Sequence, residues 1–232
     1  MGKWAVDGWR GEFGPHRTYF NIPYFSDLER FAKPNPCPGK SRRFLFSGML
    51  IKRKGVDLLA EAFARLAAEY PHVSLDLLGN GDLEPALRRI LKRCASQVRF
   101  LGFHSWKELP GMYHAADILC VPSRYDGWGL VVPEGLAAGL PVIATHATGA
   151  ALDLIQPGEN GWLIASGDSD ALYQALHEAA TLPEAELQRR AHVACASAAT
   201  HSLAVGVRRW TDAARATLAQ WAYNRLPQQP TS

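Results

Sequence analysis

The chain has 232 residues, 47% of them apolar and 20% charged, enough to bury one large core or two small ones and too apolar for a disordered or fibrous chain. Lys and Arg outnumber Asp and Glu by only 25 to 22, scattered in twos and threes, so the clustered basic face of a nucleic-acid binder is missing. Cys37, Cys94, Cys120 and Cys195 lie far apart, with no C-x-x-C pair and no Cys/His group at zinc spacing, so a reduced, cytoplasmic protein without a structural metal is expected. No apolar run reaches the roughly 18 residues of a spanning helix, and the opening MGKWAVDGWRGEFG has no apolar signal-peptide core.

Residues 1–20 are rich in Gly and Trp without a period and predict no regular element. NIPYFSDLERF (21–31) reads as an extended entry and a short turn, and KPNPCPGKS (33–41) as a linker. Two patterns then alternate. Short apolar runs at 43–47, 73–78, 98–101, 118–121, 141–144 and 162–164 predict buried strands. Between them, Leu59, Ala62, Phe63, Leu66, Ala67 and Tyr70 mark an amphipathic helix over 56–70. Asp82 is placed to cap a helix over 83–94, and Ser105 with Glu108 fits a capping box before a helix over 106–115. Pro133 suits the first turn of a helix ended by Gly139, and Asp168 caps 169–180. From Leu182 the chain is helical and alanine-rich, ending in a helix around 207–223 that holds Trp210 and Trp221. This alternation predicts an α/β fold with a doubly wound, mostly parallel sheet and C-terminal helices, with ligands bound along the edge where strands end and helices begin.

Three loops on that edge carry candidate chemistry. SGMLIKRKG (47–55) sets Lys52, Arg53 and Lys54 before a helix start, an anion site in one reading and a solvated basic loop in the other; the spacing is not that of a P-loop. LGNGDL (78–83) offers Gly79 and Gly81, either for close approach to a ligand or for a tight strand-to-helix turn, and lacks the third glycine of a dinucleotide fingerprint. PSRYDGWGLVVPEGLAAG (122–139) is the most specific: Asp126, then Gly127, Trp128, Gly129 and Leu130, then Glu134 eight residues on. Two carboxylates beside a run of backbone N–H groups suit a polyhydroxy ligand carrying phosphate, since a carboxylate accepts from a diol and amides face an anion. Taken singly, Asp126 reads as a turn aspartate and Glu134 as a first-turn glutamate.

Together, SGMLIKRKGVDLLAEAF, LLGNGDLEPAL, VRFLGFHSWKELPGMYHAADILCVPS, YDGWGLVVPEGLAAGLPVIAT and GENGWLI resemble, in order and spacing over about 42–181, the C-terminal donor-binding domain of a family 4 glycosyltransferase of the GT-B fold. The resemblance implies a single Rossmann-like GT-B half and retaining transfer of a hexose from a UDP- or GDP-sugar, without a metal or other cofactor. It assigns Lys54 to the donor diphosphate, with Gly48 and Arg53 in the same loop. Asp126 would meet the sugar hydroxyls and Glu134 the ribose hydroxyls. The amides from Gly127 to Leu130 would face sugar and phosphate, the turn at 101–104, with Phe103, would line the base pocket, and Gly79 and Gly81 would also belong to the donor-binding residues. The sequence departs from the family pattern in having Asp126 rather than Glu, Met49 where an Arg is common, and Asp153 near an expected acid at altered spacing. Residues 1–41 resemble the end of the N-terminal half and a linker, and 182–226 its returning helices. The expected partners are a glycan or lipid-linked acceptor and either a separate N-terminal-type chain or a second copy, with a location in the cytoplasm, peripheral at the membrane. A donor-binding subunit without its own turnover, or a gene fragment, is the alternative expectation. An NAD-dependent oxidoreductase is disfavoured by the missing G-x-G-x-x-G.

Overall fold

The computed structural model describes residues 2–32 and 42–225; the predicted linker, Cys37 and the last seven residues lie outside these. Six strands, β1 (Arg42–Ser47), β2 (Val73–Leu78), β3 (Val98–Gly102), β4 (Ile118–Val121), β5 (Val142–Thr145) and β6 (Gly161–Ile164), form one all-parallel sheet in the order β3-β2-β1-β4-β5-β6. The helices are α1 (Lys3–Phe13), α2 (Val56–Glu69), α3 (Glu84–Ile90), α4 (Leu109–His114), α5 (Val131–Ala137), α6 (Gly149–Leu154), α7 (Ser169–Thr181), α8 (Glu184–Ala199) and α9 (Leu203–Arg225), with a 3-10 turn at Leu28–Phe31.

The strands are apolar on both faces because both are covered. Successive side chains point to opposite sides, so Phe44, Phe46, Leu75, Leu77, Ile118, Cys120 and Ile143 pack with α2, α3 and α7. Leu45, Leu119, Val121, Val142 and Ala144 pack with α4, α5, α6 and α8. The strand order reverses between β1 and β4, and the crevice past their C-terminal ends is where doubly wound sheets bind ligands. Ser47, ending β1, and Val121, ending β4, mark that crevice.

The sheet and the alternation agree with expectation; three local readings need correction. Residues 3–13 are helical, not irregular: the Lys3 amide donates to both Asp153 carboxylate oxygens, at 3.1 and 3.2 Å, so the start of α1 is capped from across the molecule. Asp82 does not cap α3, whose first flanking residue is Leu83, and the helical run breaks into a 3-10 segment with Cys94 at φ −120°. The capping box before α4 is half made: the Glu108 carboxylate accepts from the Ser105 amide at 2.8 Å and from the Ser105 hydroxyl at 2.6 Å, and the helix starts only at Leu109. Asp168 caps α7 through the Ala171 amide at 2.8 Å.

Candidate functional site

The loop after β1 turns into α2 through Gly55, at φ 69°, where an added Cβ would lie 1.9 Å from the Pro122 carbonyl oxygen. Only glycine permits that approach, and it sets Lys54 against the loop after β4. There the Lys54 ammonium donates to Asp126 Oδ2 at 2.5 Å, with both side chains largely buried. Arg124 fastens the same loop to α2, its guanidinium donating to Asp57 at 2.6 and 2.9 Å and to the Lys52 carbonyl. Arg53 donates to the Tyr125 carbonyl at 3.0 Å.

Past Asp126, the chain is pinned by Asp126 N–H to the Ala147 carbonyl, by Gly149 N–H to the Asp126 carbonyl and by Ala150 N–H to the Trp128 carbonyl. The amides of Gly127, Trp128, Gly129 and Leu130 have no acceptor among the described residues. Four consecutive free donors beside a lysine form a ready seat for a phosphate. The Trp128 side chain takes no part: it is buried, stacked at 5.2 Å on His201, which stacks at 4.7 Å on Phe25. Burial, with Arg209 nearby, holds the His201 imidazole down to about 4, so it packs as a neutral ring.

Glu134, in α5, is buried at 8% exposure and accepts from the Tyr113 hydroxyl at 3.3 Å. Burial pushes its carboxyl up to about 7, with the phenol hydrogen bond opposing. Ser47, Gly48, Met49, Leu78, Gly79, Asn80, Phe103, His104 and Leu109 line a cavity of about 340 Å³, within the range of small-ligand sites. Phe103 presents an exposed ring at its mouth, and His104 Nδ1 is buried without a partner among the described residues.

The candidate residues thus fall into adjacent groups: Lys54, Arg53, Asp126 and the amides 127–130 in one, Gly48, Gly79 and Phe103 around the cavity in another, and Glu134 tied to Tyr113. Gly79 and Gly81 serve the turn reading. Their added Cβ atoms would sit 2.0 Å from the Gly48 carbonyl oxygen and 2.4 Å from that of Leu50, so both are needed where the β2 loop lies on the β1 loop. Gly79 still lines the cavity; Gly81 does not. Asp153, near the expected acid, caps α1 and accepts from Asn21 Nδ2 at 3.2 Å instead of joining the site. Ser47 and Arg124 lie within the candidate loops 47–55 and 122–139 without having been singled out there, and Tyr113 was given no role; a tyrosine amid apolar residues was the one signal available, since its hydroxyl must find a partner. Among the described residues, no three His, Cys, Asp or Glu side chains gather to hold a metal.

Residues 27–194 match the family described as glycosyl transferases group 1. The chain belongs to that family. It is 28% identical over 196 residues to the GDP-mannose-dependent monoacylated alpha-(1-6)-phosphatidylinositol monomannoside mannosyltransferase of Corynebacterium glutamicum, covering 77% of this chain and 51% of the relative. The group 1 chain also superposes on a point mutant of S. aureus TarM in complex with fondaparinux, alpha-GlcNAc-glycerol and UDP, at TM-score 0.79 and 15% identity, over 91% of this chain and 42% of that one. The C-terminal domain of the glycosyl transferase group 1 family protein LpcC of Francisella tularensis superposes at TM-score 0.67 and 24% identity, over 77% of this chain and 99% of that one. The chain spans about half the length of the curated relatives it matches. These solved structures establish the Rossmann-like GT-B fold alone. Among the described residues, no helix is long and apolar enough to cross a membrane.

Proposed function

We propose that residues 42–181 bind a UDP- or GDP-sugar and form the donor half of a retaining, family 4 hexosyltransferase. The observation that carries this reading is the Lys54–Asp126 pair beside four free amides, set at the point where the sheet order reverses. The donor diphosphate draws Lys54 from Asp126 and accepts from the amides of Gly127 to Leu130. Asp126, so released, receives hydroxyls of the transferred sugar, and Glu134 those of the ribose. The base enters the cavity lined by Phe103 and His104. As the glycosidic bond breaks, negative charge grows on the departing diphosphate, where Lys54 and the amides meet it in this reading; that electrostatic stabilisation is the main catalytic contribution from this chain. Fixed positive charge of this kind replaces a metal in the reading, and no other cofactor is called for.

The acceptor, a glycan or a lipid-linked sugar, is met by an N-terminal-type domain. Trp4, Trp9 and Phe13 of α1 and Trp210, Leu218 and Trp221 of α9 are all exposed, more large apolar side chains than two helices ordinarily leave in water. In this reading that surface seats the acceptor domain, with self-association as the alternative use. A cytoplasmic position at the membrane surface accords with the sequence of α9, where Arg208, Arg209 and Arg215 outnumber one acid, Asp212. That same surface favours a second reading, a donor-binding subunit that turns over only with its acceptor-domain partner.

Saturation-transfer NMR with UDP-glucose and GDP-mannose tests the donor reading. Strong saturation of ribose and base protons from one donor is expected; a folded protein that saturates neither overturns it.

A further inference from the structure

Tyr113 is fully buried, its ring edge-on to Phe31 at 5.1 Å. A phenylalanine would fill that space, so the hydroxyl needs its own explanation, and its partner belongs to the site. Its proton goes to Glu134 Oε2 at 3.3 Å, and the Ser47 side chain, at the end of β1 on the cavity wall, lies near enough to favour its charged form. Oε2 is engaged, while Oε1 has no partner among the described residues and is not sealed from solvent.

We propose that Tyr113 is a positioning residue for donor binding: its hydroxyl holds the Glu134 carboxylate so that the other carboxylate oxygen receives the ribose diol. The proposal rests on the reading of Glu134 as the ribose acid and adds what aims it. No charged neighbour does this instead. On the elements packed against α5, Asp153 of α6 caps α1, Arg190 of α8 pairs with Glu186 and Glu178, Arg30 of the 3-10 turn lies over Trp106, and Glu29 is exposed. At 3.3 Å the bond is long for O–H···O, so its loss should be felt severalfold rather than a hundredfold.

The test is a cycle crossing protein and ligand. GDP and UDP and their 2′,3′-dideoxy forms are titrated calorimetrically into the full chain and into Tyr113→Phe, with thermal melts in parallel. Tyr113→Phe should weaken the better ribonucleotide about three- to tenfold, the scale of one neutral hydrogen bond, and its dideoxy form less than twofold. Equal losses on both ligands would make Tyr113 merely structural, and no loss on either would remove it from the site; each overturns the proposal. If the full chain binds neither ribonucleotide, the donor reading itself falls, which separates the two failures. Should Tyr113→Phe fail to fold, Ser47→Ala is read by the same cycle, with the same diol-dependent loss expected and a diol-independent one contradicting it.

Discussion

Glu134 sets stability against binding. Its native carboxyl keeps a proton up to about pH 7, whereas an unfolded glutamate releases it near 4.5. Between those values the unfolded state gains by ionising, so this residue's contribution to stability is lost as pH rises and the deficit is complete above 7. A separation of that size corresponds to about 3 kcal/mol. Glu134→Gln should therefore gain stability over the parent as pH goes from 4.5 to 8, read from urea midpoints; a difference that does not change with pH would contradict the account. Nucleotide affinity should move the other way, rising through pH 7 in the parent as the carboxylate becomes a pure acceptor, and flat in the variant. Lys54→Ala leaves Asp126 without its partner in a largely buried position, costing about 1–3 kcal/mol in melts, and should weaken nucleotide binding most at low salt. Gly55→Ala needs only a melt: an alanine at φ 69° with the Pro122 oxygen 1.9 Å from its Cβ should lose at least about 2 kcal/mol, and an unchanged midpoint would mean the loops do not meet as described.

At the scale of elements, apolar runs and helical periods were legible, whereas the cap signals at Asp82 and Ser105 misled and what depended on distant partners was out of reach. The β1, β2 and β4 runs were legible because each is short and mostly apolar, β2 in spite of Ser74 and Asp76, and α2 because its apolar positions repeat at helical spacing. Helix α1 was not, because nothing inside KWAVDGWRGEF starts it: the cap is Asp153, 150 positions away. The same tie explains why Asp153 is missing from the site. Asp153→Ala should fray α1 and cost about 1 kcal/mol, as lost caps do, seen as faster amide exchange over 3–13; unchanged exchange there would mean that α1 is held by packing alone. Within the site, the acids and the glycine run were visible as a spacing, whereas Tyr113 was not, since its role rests on a hydroxyl bond to a residue 21 positions on. Trp128 was visible but its side chain faces away, into the stack with His201 and Phe25, where only the folded chain could put it.

Across the whole molecule, the parallel order β3-β2-β1-β4-β5-β6 brings four loops together past the ends of β1, β2, β3 and β4, and every candidate ligand-facing residue sits on one of those loops or at the start of α5. On the same molecule, α1 and α9 leave tryptophans in water. If that face docks another domain or a second copy, sedimentation should show association growing with concentration, or the isolated chain should bind a dye for apolar surface; a strict monomer that binds no dye would contradict a docking role. The central claim, that the crevice between β1 and β4 holds a nucleoside diphosphate, is tested most directly by calorimetric titration of the chain with UDP, GDP and NADH, with Glu134→Ala alongside. The account predicts that UDP or GDP binds, that NADH does not, and that the substitution weakens binding by about 1–3 kcal/mol, the scale of a lost charged hydrogen bond. A well-folded sample that binds neither nucleotide, or binds one equally well without Glu134, would contradict it.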